Sequence, residues 1–250
     1  MGSVISQVAS HLPRKTFVRL VALQYRVFEP ELRHIAAFVP PDRMAIDVGT
    51  WWGPWSWWLA KRVRRVEAFE PNASVCSALS SIMPSNVTLH NVALSDVRGE
   101  ALLWSPSSDL GTEGRSTLVG DETSGWLAQR VETVPLDELG YSDVGFMKID
   151  VEGSELSVLR GAHTLLQEER PTLLVEVEEA HLSPGGMDQV FDYLKDLGYE
   201  GKFLRRGQWR PLGEFDRARA RRLGQQRKNM GLLRSTLARE TYVHNFLFVT

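Results

Sequence analysis

The chain of 250 residues holds a single cysteine, Cys76. An internal disulfide is therefore excluded, and a reducing compartment fits. Cys76 falls in an ordinary helical pattern, where buried packing outweighs a reactive thiol. An excess of one charge is also missing: 29 Lys and Arg against 31 Asp and Glu leave a net charge of −2. Such a balance gives no overall attraction for nucleic acid. No apolar run approaches the roughly 18 residues that a membrane-spanning helix needs. Ser6, Gln7, His11, Arg14 and Lys15 interrupt the N-terminus, so no signal peptide is read there. No ligand-spaced group of His and Cys supports zinc. The expectation is a soluble cytoplasmic protein without a membrane span. What is present, 43% hydrophobic and 24% charged residues, suits one large α/β domain with its own core.

Residues 1–40 read as a helical segment. Val4, Ile5, Val8, then Phe17, Val18, Leu20, Val21, Leu23 and Val27 fit a helical period, with Arg14, Lys15, Arg19 and Arg26 between them. A helix or two packed on the domain is the plain reading. A lid, a homodimer contact or a basic membrane-surface helix are the others. Pro40-Pro41-Asp42 closes the segment, and residues 41–250 form the main domain.

From residue 44 short apolar strands alternate with helices: strands over 44–48, 66–69 and 87–92, helices over 56–63 and 73–83. This β-α-β-α-β order predicts a doubly wound, mostly parallel sheet. Between 97 and 136 the rhythm breaks into short strands at 101–104, 116–119 and 130–134, with Ser/Gly/Asp-rich loops between them. That reads as a small β-rich insertion on the rim of the sheet. Strands resume at 144–150 and 172–177, with helices over 154–168 and 187–197. The last two strands are expected at 199–204 and 242–249, making seven in a Rossmann-like sheet. Between them lies a basic helical stretch with Arg217, Arg219, Arg221, Arg222, Arg227, Lys228 and Arg234. It is either a solvated face or a contact for an anionic partner.

The densest signal runs from Met44 to Leu59. An apolar strand ends at Asp47, Gly49 and Gly53 follow, and tryptophans stand at 51, 52, 55, 57 and 58. A dinucleotide loop would need G-x-G-x-x-G and a P-loop Gly-Lys-Ser/Thr, and neither is here. An acidic residue beside the loop repels a pyrophosphate but suits the ammonium and sulfonium of S-adenosylmethionine (SAM). The alternative is a tight strand-to-helix turn that any α/β fold needs. Glu70, at the end of the second strand about 20 positions later, is placed to accept ribose hydroxyls. Asn91, Val92 and Ala93, ending the third, would border the adenine. Further on, Asp150 and Glu152 lie at a strand's carboxyl end. Lys148 shares a strand face with Asp150 and needs the partner that Asp150 can supply. A buried Lys–Asp pair beside a helix-start cluster of Glu152 and Glu155 is the purely structural alternative.

These pieces resemble the FkbM-type SAM-dependent methyltransferases, a branch of the class I methyltransferase fold. The matching residues are Asp47-Val48-Gly49 with Gly53 and Ser56, Phe69-Glu70-Pro71, and 91–96 with Gly99. Ser116-Thr117-Leu118, 133–137, 148–155 with Gly161, 171–176 and Asn245 continue the match. The resemblance covers roughly 44–180 plus the last strand, and 148–155 is its most specific part. With the readings above, it implies a SAM site made by Asp47, Gly49, Thr50, Gly53, Ser56, Glu70, Pro71, Asn91, Val92, Ala93 and Asp150. It also implies an antiparallel last strand near the sheet edge. The implied reaction is O-methylation of a small-molecule hydroxyl on a sugar, glycoside, polyketide or other secondary metabolite. Thr50-Trp51-Trp52 is bulkier than the family usually carries between these glycines. The rings either line the SAM or acceptor pocket or pack a helix on the sheet.

Methyl transfer from sulfonium to oxygen needs in-line approach, a desolvated cleft and removal of the hydroxyl proton. Asp47 and Asp150 serve mainly SAM; Asp150, with Lys148 beside it, is also a candidate on the acceptor side. Glu176, ending the next strand, is the first candidate for holding or deprotonating the hydroxyl. His181 is the second, its ordinary pKa of ~6.5 suiting a base, with a plain surface histidine as the alternative. His90 and His163 read as structural. Asp150, Glu152 and Glu176 offer oxygens that suit Mg²⁺, although no metal is required by the spacing. A nucleic-acid methyltransferase lacks its Asn/Asp-Pro-Pro-Tyr type segment here. A methyltransferase of another macromolecule, or a non-catalytic SAM-binding module, remain as alternatives.

Overall fold

The computed structural model describes residues 13–106, 116–120, 126–179, 181–182, 185–220 and 243–250. The expected helical residues 4–8, most of the basic stretch and Tyr242 lie outside these.

The centre is a sheet in the order β10-β9-β11-β8-β7-β1-β2-β3. Its parallel part is β1 (Met44–Val48), β2 (Val66–Phe69), β3 (Val87–His90), β7 (Val144–Ile149) and β8 (Thr172–Glu176). β1 and β7 are buried along their whole length, as strands covered on both faces must be. Alternation then sorts their residues. Ile46, Val48, Met147 and Ile149 join one core with Val158, Leu159, Leu166 and Val190. Ala45 and Phe146 join the opposite core with Leu32, Phe38, Trp55 and Leu59. Asp47 and Lys148, paired in register, follow that second parity. The two charged residues are thereby placed beneath the N-terminal segment.

β11 (Asn245–Val249) runs antiparallel between β8 and β9 (Glu200–Arg205). The expected count of seven strands is corrected to eight by β10 (Gln208–Pro211), a hairpin partner of β9. Its turn residues Arg206 and Gly207 have φ of 50° and 73°, the left-handed pair that a two-residue hairpin requires. β10 carries no apolar alternation, so only its turn was a signal. A second sheet, β4-β6-β5, is built from β4 (Ala93–Leu94), β5 (Gly99–Ser105) and β6 (Leu127–Val134). The strand expected over 116–119 is corrected to one bridge, Thr117 with Trp104.

The helix α1 (Arg14–Phe28) buries Phe17, Val18, Val21 and Ala22. A 3₁₀ turn at Pro30–Arg33 and the short α2 (Ile35–Phe38) lead into β1. After β1, α3 (Pro54–Leu59) starts at Gly53 in the left-handed conformation with Pro at its first turn. α4 is Ala73–Leu79, capped by the Asn72 side chain on the N–H groups of Ser74 and Val75. On the other face lie α5 (Glu155–Gly161), α6 (His163–Glu168) and α7 (Gly186–Asp196).

Four of the five clustered tryptophans hold helices. Trp52 meets Phe17 edge-on at 5.1 Å within a cluster that includes Val75 and Leu79. Trp58 donates its indole N–H to Ala22 O at 2.7 Å, with the Arg26 guanidinium 4.7 Å over its ring. Trp57 lies between Arg19 and Lys61. Trp55 donates to the Glu29 carboxylate at 2.6 Å and stacks on Phe146. Trp51 alone faces the cleft described next.

Candidate active site

In an open parallel sheet the ligand crevice lies outside the carboxyl ends of the strands, where the strand order reverses. Here that point is between β1 and β7, and a cleft opens there. The loop after β1 supplies Val48, Gly49 and Trp51; the end of β2 supplies Phe69, Glu70 and Pro71. Val92, Ala93 and Leu94 come from the segment after β3, and Asp150, Val151, Glu152 and Ser154 from that after β7. Tyr25 of α1 closes one side, and Leu103, Ser116, Thr117 and Leu118 of the second-sheet region close another.

The loop is held by backbone bonds. Gly49 N and Thr50 N both donate to Phe69 O, and Asp150 N donates to Val48 O. Gly49, at φ 79°, passes so close to β7 that a Cβ there would lie 1.8 Å from Asp150 O. Only glycine permits that approach. The Glu70 carboxylate accepts the N–H of Trp51 and of Asn72, both at 2.8 Å. Asn91 donates to Glu70 O and Pro71 O, each at 2.9 Å, pinning the turn after β2.

The sequence-derived residues divide into two layers. Gly49, Glu70, Pro71, Val92, Ala93 and Asp150 line the cleft. Asp47, Thr50, Gly53 and Ser56 lie beneath its loop. Asp47 is 1% exposed and accepts from Ser56 Oγ at 2.5 Å; Thr50 Oγ1 donates to Asp47 O. Burial pushes the Asp47 carboxyl up to about 6, the Ser56 hydrogen bond opposing it. Tyr25, Trp51, Phe69, Leu103 and Thr117 complete the lining. The sequence marks Trp51 through the tryptophan load, Phe69 through the Phe69-Glu70-Pro71 piece and Thr117 through Ser116-Thr117-Leu118; Tyr25 and Leu103 it does not mark as site residues.

A second centre adjoins the cleft at Asp150. Lys148 is fully buried, with Nζ 3.0 Å from Asn245 Oδ1, 3.6 Å from Asp150 and 3.9 Å from Glu176. Burial works against its charge, but the carboxylates of Asp150, Glu29, Glu176 and Asp47 overturn that and raise its pKa. Glu176 is pushed well above the usual carboxylate range, first by burial and then by Asp150. Among the described residues, carboxylate oxygens of Glu29, Asp150 and Glu176 lie within 4.8 Å of one another.

The Mg²⁺ ligand set Asp150, Glu152 and Glu176 is corrected here. Glu152 is turned away to an ion pair with His181 Nδ1. The remaining carboxylates share an internal ammonium, so an ion among them would face Lys148.

His181 also lies 3.8 Å from Glu178. Its hydrogen bond to Glu152 raises its pKa, burial opposing, and it does not line the cleft. Thr117 Oγ1 donates to Glu152 O at 2.6 Å, tying the second-sheet region to the β7 loop at a residue with φ of 48°. His90 lies on Glu67 at 2.5 Å and is stacked on Phe69, and His163 lies on Tyr193; neither lines the cleft.

Whether this donor set fits SAM can be judged from its chemistry. The cleft joins an apolar slot (Phe69, Val92, Leu94, Leu103, Leu118) to carboxylates at Glu70 and Asp150. Trp51 lines the cleft, and its indole N–H is buried with no partner among the described residues. An adenine ring needs the apolar slot, and a ribose diol and a cationic amino-acid tail need the carboxylates. The residues fit.

A curated relative, the AMB antimetabolite synthetase AmbE of Pseudomonas aeruginosa, is 25% identical over 205 residues. That alignment takes in 65% of this chain and 10% of the relative, so the chain spans about a tenth of that protein's length. Among solved structures, methyltransferase FkbM from Methylobacillus flagellatus KT is 17% identical with a TM-score of 0.48, over 66% of this chain and 40% of that one. An O-methyltransferase from Bacillus cereus in complex with SAH is 12% identical with a TM-score of 0.47, over 99% and 97%. The family model for the methyltransferase FkbM domain matches residues 47–200, from the next-to-last residue of β1 to the start of β9. On that match the chain belongs to the FkbM methyltransferase family.

Proposed function

We propose that the protein transfers a methyl group to the hydroxyl of a small molecule, a sugar, glycoside, polyketide or similar metabolite. The observation that carries this reading is the Glu176 carboxylate, adjoining the cofactor cleft through Asp150 and Lys148. Bound SAM supplies a methyl group made electrophilic by its sulfonium. Glu70 would hold the ribose hydroxyls and Asp150 the amino-acid ammonium. Asp47 and Ser56 stiffen the loop from below and act on the cofactor through it. Trp51, Tyr25 and Leu118 exclude water from the cleft walls.

Oxygen methylation needs a proton acceptor matched to an alcohol. Burial and Asp150 make Glu176 a stronger base than an exposed carboxylate, while the neighbouring ammonium of Lys148 keeps part of it ionised. His181 is the weaker candidate, because Glu152 biases it toward the charged form, which cannot accept a proton. A small acceptor is also favoured by the net charge of −2. The name of the relative AmbE, an antimetabolite synthetase, points the same way.

The test is incubation with methyl-labelled SAM and a panel of glycosides, polyketides and phenols, locating the methyl by mass spectrometry. Glu176→Gln should cut turnover at least about tenfold while SAM affinity stays within about twofold. An equal loss of both would move Glu176 into the cofactor site, and SAM binding without turnover on any acceptor would favour a binding module.

A further inference from the structure

Glu29 stands outside the family-matched stretch 47–200, in the segment that precedes the sheet. It follows the last residue of α1, where its N–H closes the helix on Tyr25 O at 2.6 Å. Its side chain turns inward and is 5% exposed. The indole N–H of Trp55 binds one of its oxygens at 2.6 Å. A carboxylate oxygen of Glu29 lies within 4.8 Å of oxygens of both Asp150 and Glu176. Trp55 itself packs on Phe146 of β7, with the Lys148 ammonium 5.9 Å over its ring. A carboxyl group has therefore been carried in from the end of α1 and clamped by a fixed indole beside the pair Lys148–Glu176. A buried carboxylate with two like charges so near costs stability unless something uses it.

We infer that Glu29 is a positioning residue for the acceptor-side pair: held by Trp55, it sets the charge balance of Lys148 and Glu176 through which the hydroxyl proton leaves. The inference rests on the O-methyltransferase reading above. In the step it serves, the acceptor oxygen forms a bond to the methyl carbon and the carbon–sulfur bond breaks. Its electron pair neutralises the sulfonium, and the hydroxyl proton goes to Glu176. Glu29 touches neither reacting atom. It repels negative charge on Glu176, so the pair takes the proton more strongly, and it shares Lys148 so that the ammonium does not cancel that basicity.

The charged groups facing Glu176 are Asp150 and Lys148 of β7, Glu178 of its own segment and Glu29; Asp47 of β1 also faces Lys148. Asn245 of β11 is uncharged and holds Lys148. Glu31 of the N-terminal segment also acts on Lys148 and on Glu29, so Glu29 is the group of that segment that acts on Glu176 itself.

The test compares wild type, Glu29→Gln and Glu29→Asp. Glutamine keeps an acceptor for Trp55 and removes only the charge; aspartate keeps the charge on a shorter arm. The acid limb of kcat against pH should move down by about half to one pH unit in Glu29→Gln, with the plateau about three- to tenfold lower. In Glu29→Asp the limb should stay within about 0.2 unit of wild type. SAM affinity should hold in both. A ¹³C carboxyl titration of Glu176 in the SAM-bound protein should show the same downward shift without needing turnover. An unmoved Glu176 titration in folded Glu29→Gln overturns the inference, whatever the acceptor proves to be. A shifted titration in a protein that methylates no hydroxyl supports the coupling and overturns the O-methyltransferase reading instead.

Discussion

The backbone N–H of Trp51 donates to the Glu70 carboxylate at 2.8 Å, joining the loop after β1 to the end of β2. Trp51 carries φ of 48°, so this bond holds a conformation the chain would otherwise leave. Glu70→Ala should weaken SAM binding ten- to a hundredfold by calorimetry, from a loss of about 1.5–3 kcal/mol for hydrogen bonds to a charged group. A change under threefold would take Glu70 out of the cofactor site.

Two glycines with positive φ should respond very differently to alanine. At Gly49 a Cβ lies 1.8 Å from Asp150 O, whereas at Gly140, φ 65°, nothing stands within 4 Å. Gly140→Ala should cost only the left-handed strain of about 1–2 kcal/mol. Gly49→Ala must also push β1 from β7, and should cost more than ~3 kcal/mol and abolish SAM binding. Chemical denaturation with and without SAM reads both.

The neighbouring tryptophans should separate cleanly. Trp52, 1% exposed and wedged on Phe17, should cost about 3–5 kcal/mol when cut to alanine. Trp51→Ala should leave the melting temperature within a few degrees yet weaken SAM binding. The reverse pattern would place Trp51 in the core and Trp52 in the cleft.

Removing the internal cation should be severe. Lys148→Met leaves Asp150, Glu176 and Glu29 facing one another in a buried centre, a loss of about 3–5 kcal/mol by urea unfolding. Glu176→Gln in that background should restore part of it. Without such recovery, the repulsion between carboxylates is not what Lys148 relieves.

Stability should fall as pH rises through neutrality. Burial, with Glu29 adding to it, pushes Glu31 from 4.5 up to about 7, so the folded chain binds the proton more tightly than the unfolded one. That contribution is complete below about 4.5 and is lost as pH rises through about 7. Glu31→Gln cannot lose it, and should be more stable than wild type at pH 8 by about 1–3 kcal/mol while matching it at pH 4.5. Equal stability at both pH values would show Glu31 ionised without penalty.

Local sequence was informative wherever one element determined the outcome. The Asp47-to-Gly53 turn, Glu70 at a strand end and Asp150 after β7 each follow from a strand ending where a helix begins. The β10 hairpin carried only a turn signal, since Trp209 is its one apolar side chain before Pro211. Glu29 and Tyr25 were out of reach for another reason. In the sequence they lie in or just after an amphipathic helix, and only the docking of α1 on α3 brings Tyr25 to the cleft and Glu29 beside Asp150 and Glu176. The tryptophans were visible as a cluster, but their division between cleft and helix depends on which ring meets Phe17, Ala22 or Glu29.

β11 fills the gap between β8 and β9, although β9 precedes it in the chain. A ribosome delivers these strands out of spatial order. The slot beside β8 must wait, with its ladder unmet, until residues 245–249 emerge. Asn245, the amide on which Lys148 rests, arrives in the same step. A nascent chain stopped short of it would hold a buried ammonium with carboxylates but no amide to orient it. The surroundings of Lys148 are thus complete only once β11, which follows β9 in the chain, has paired with β8.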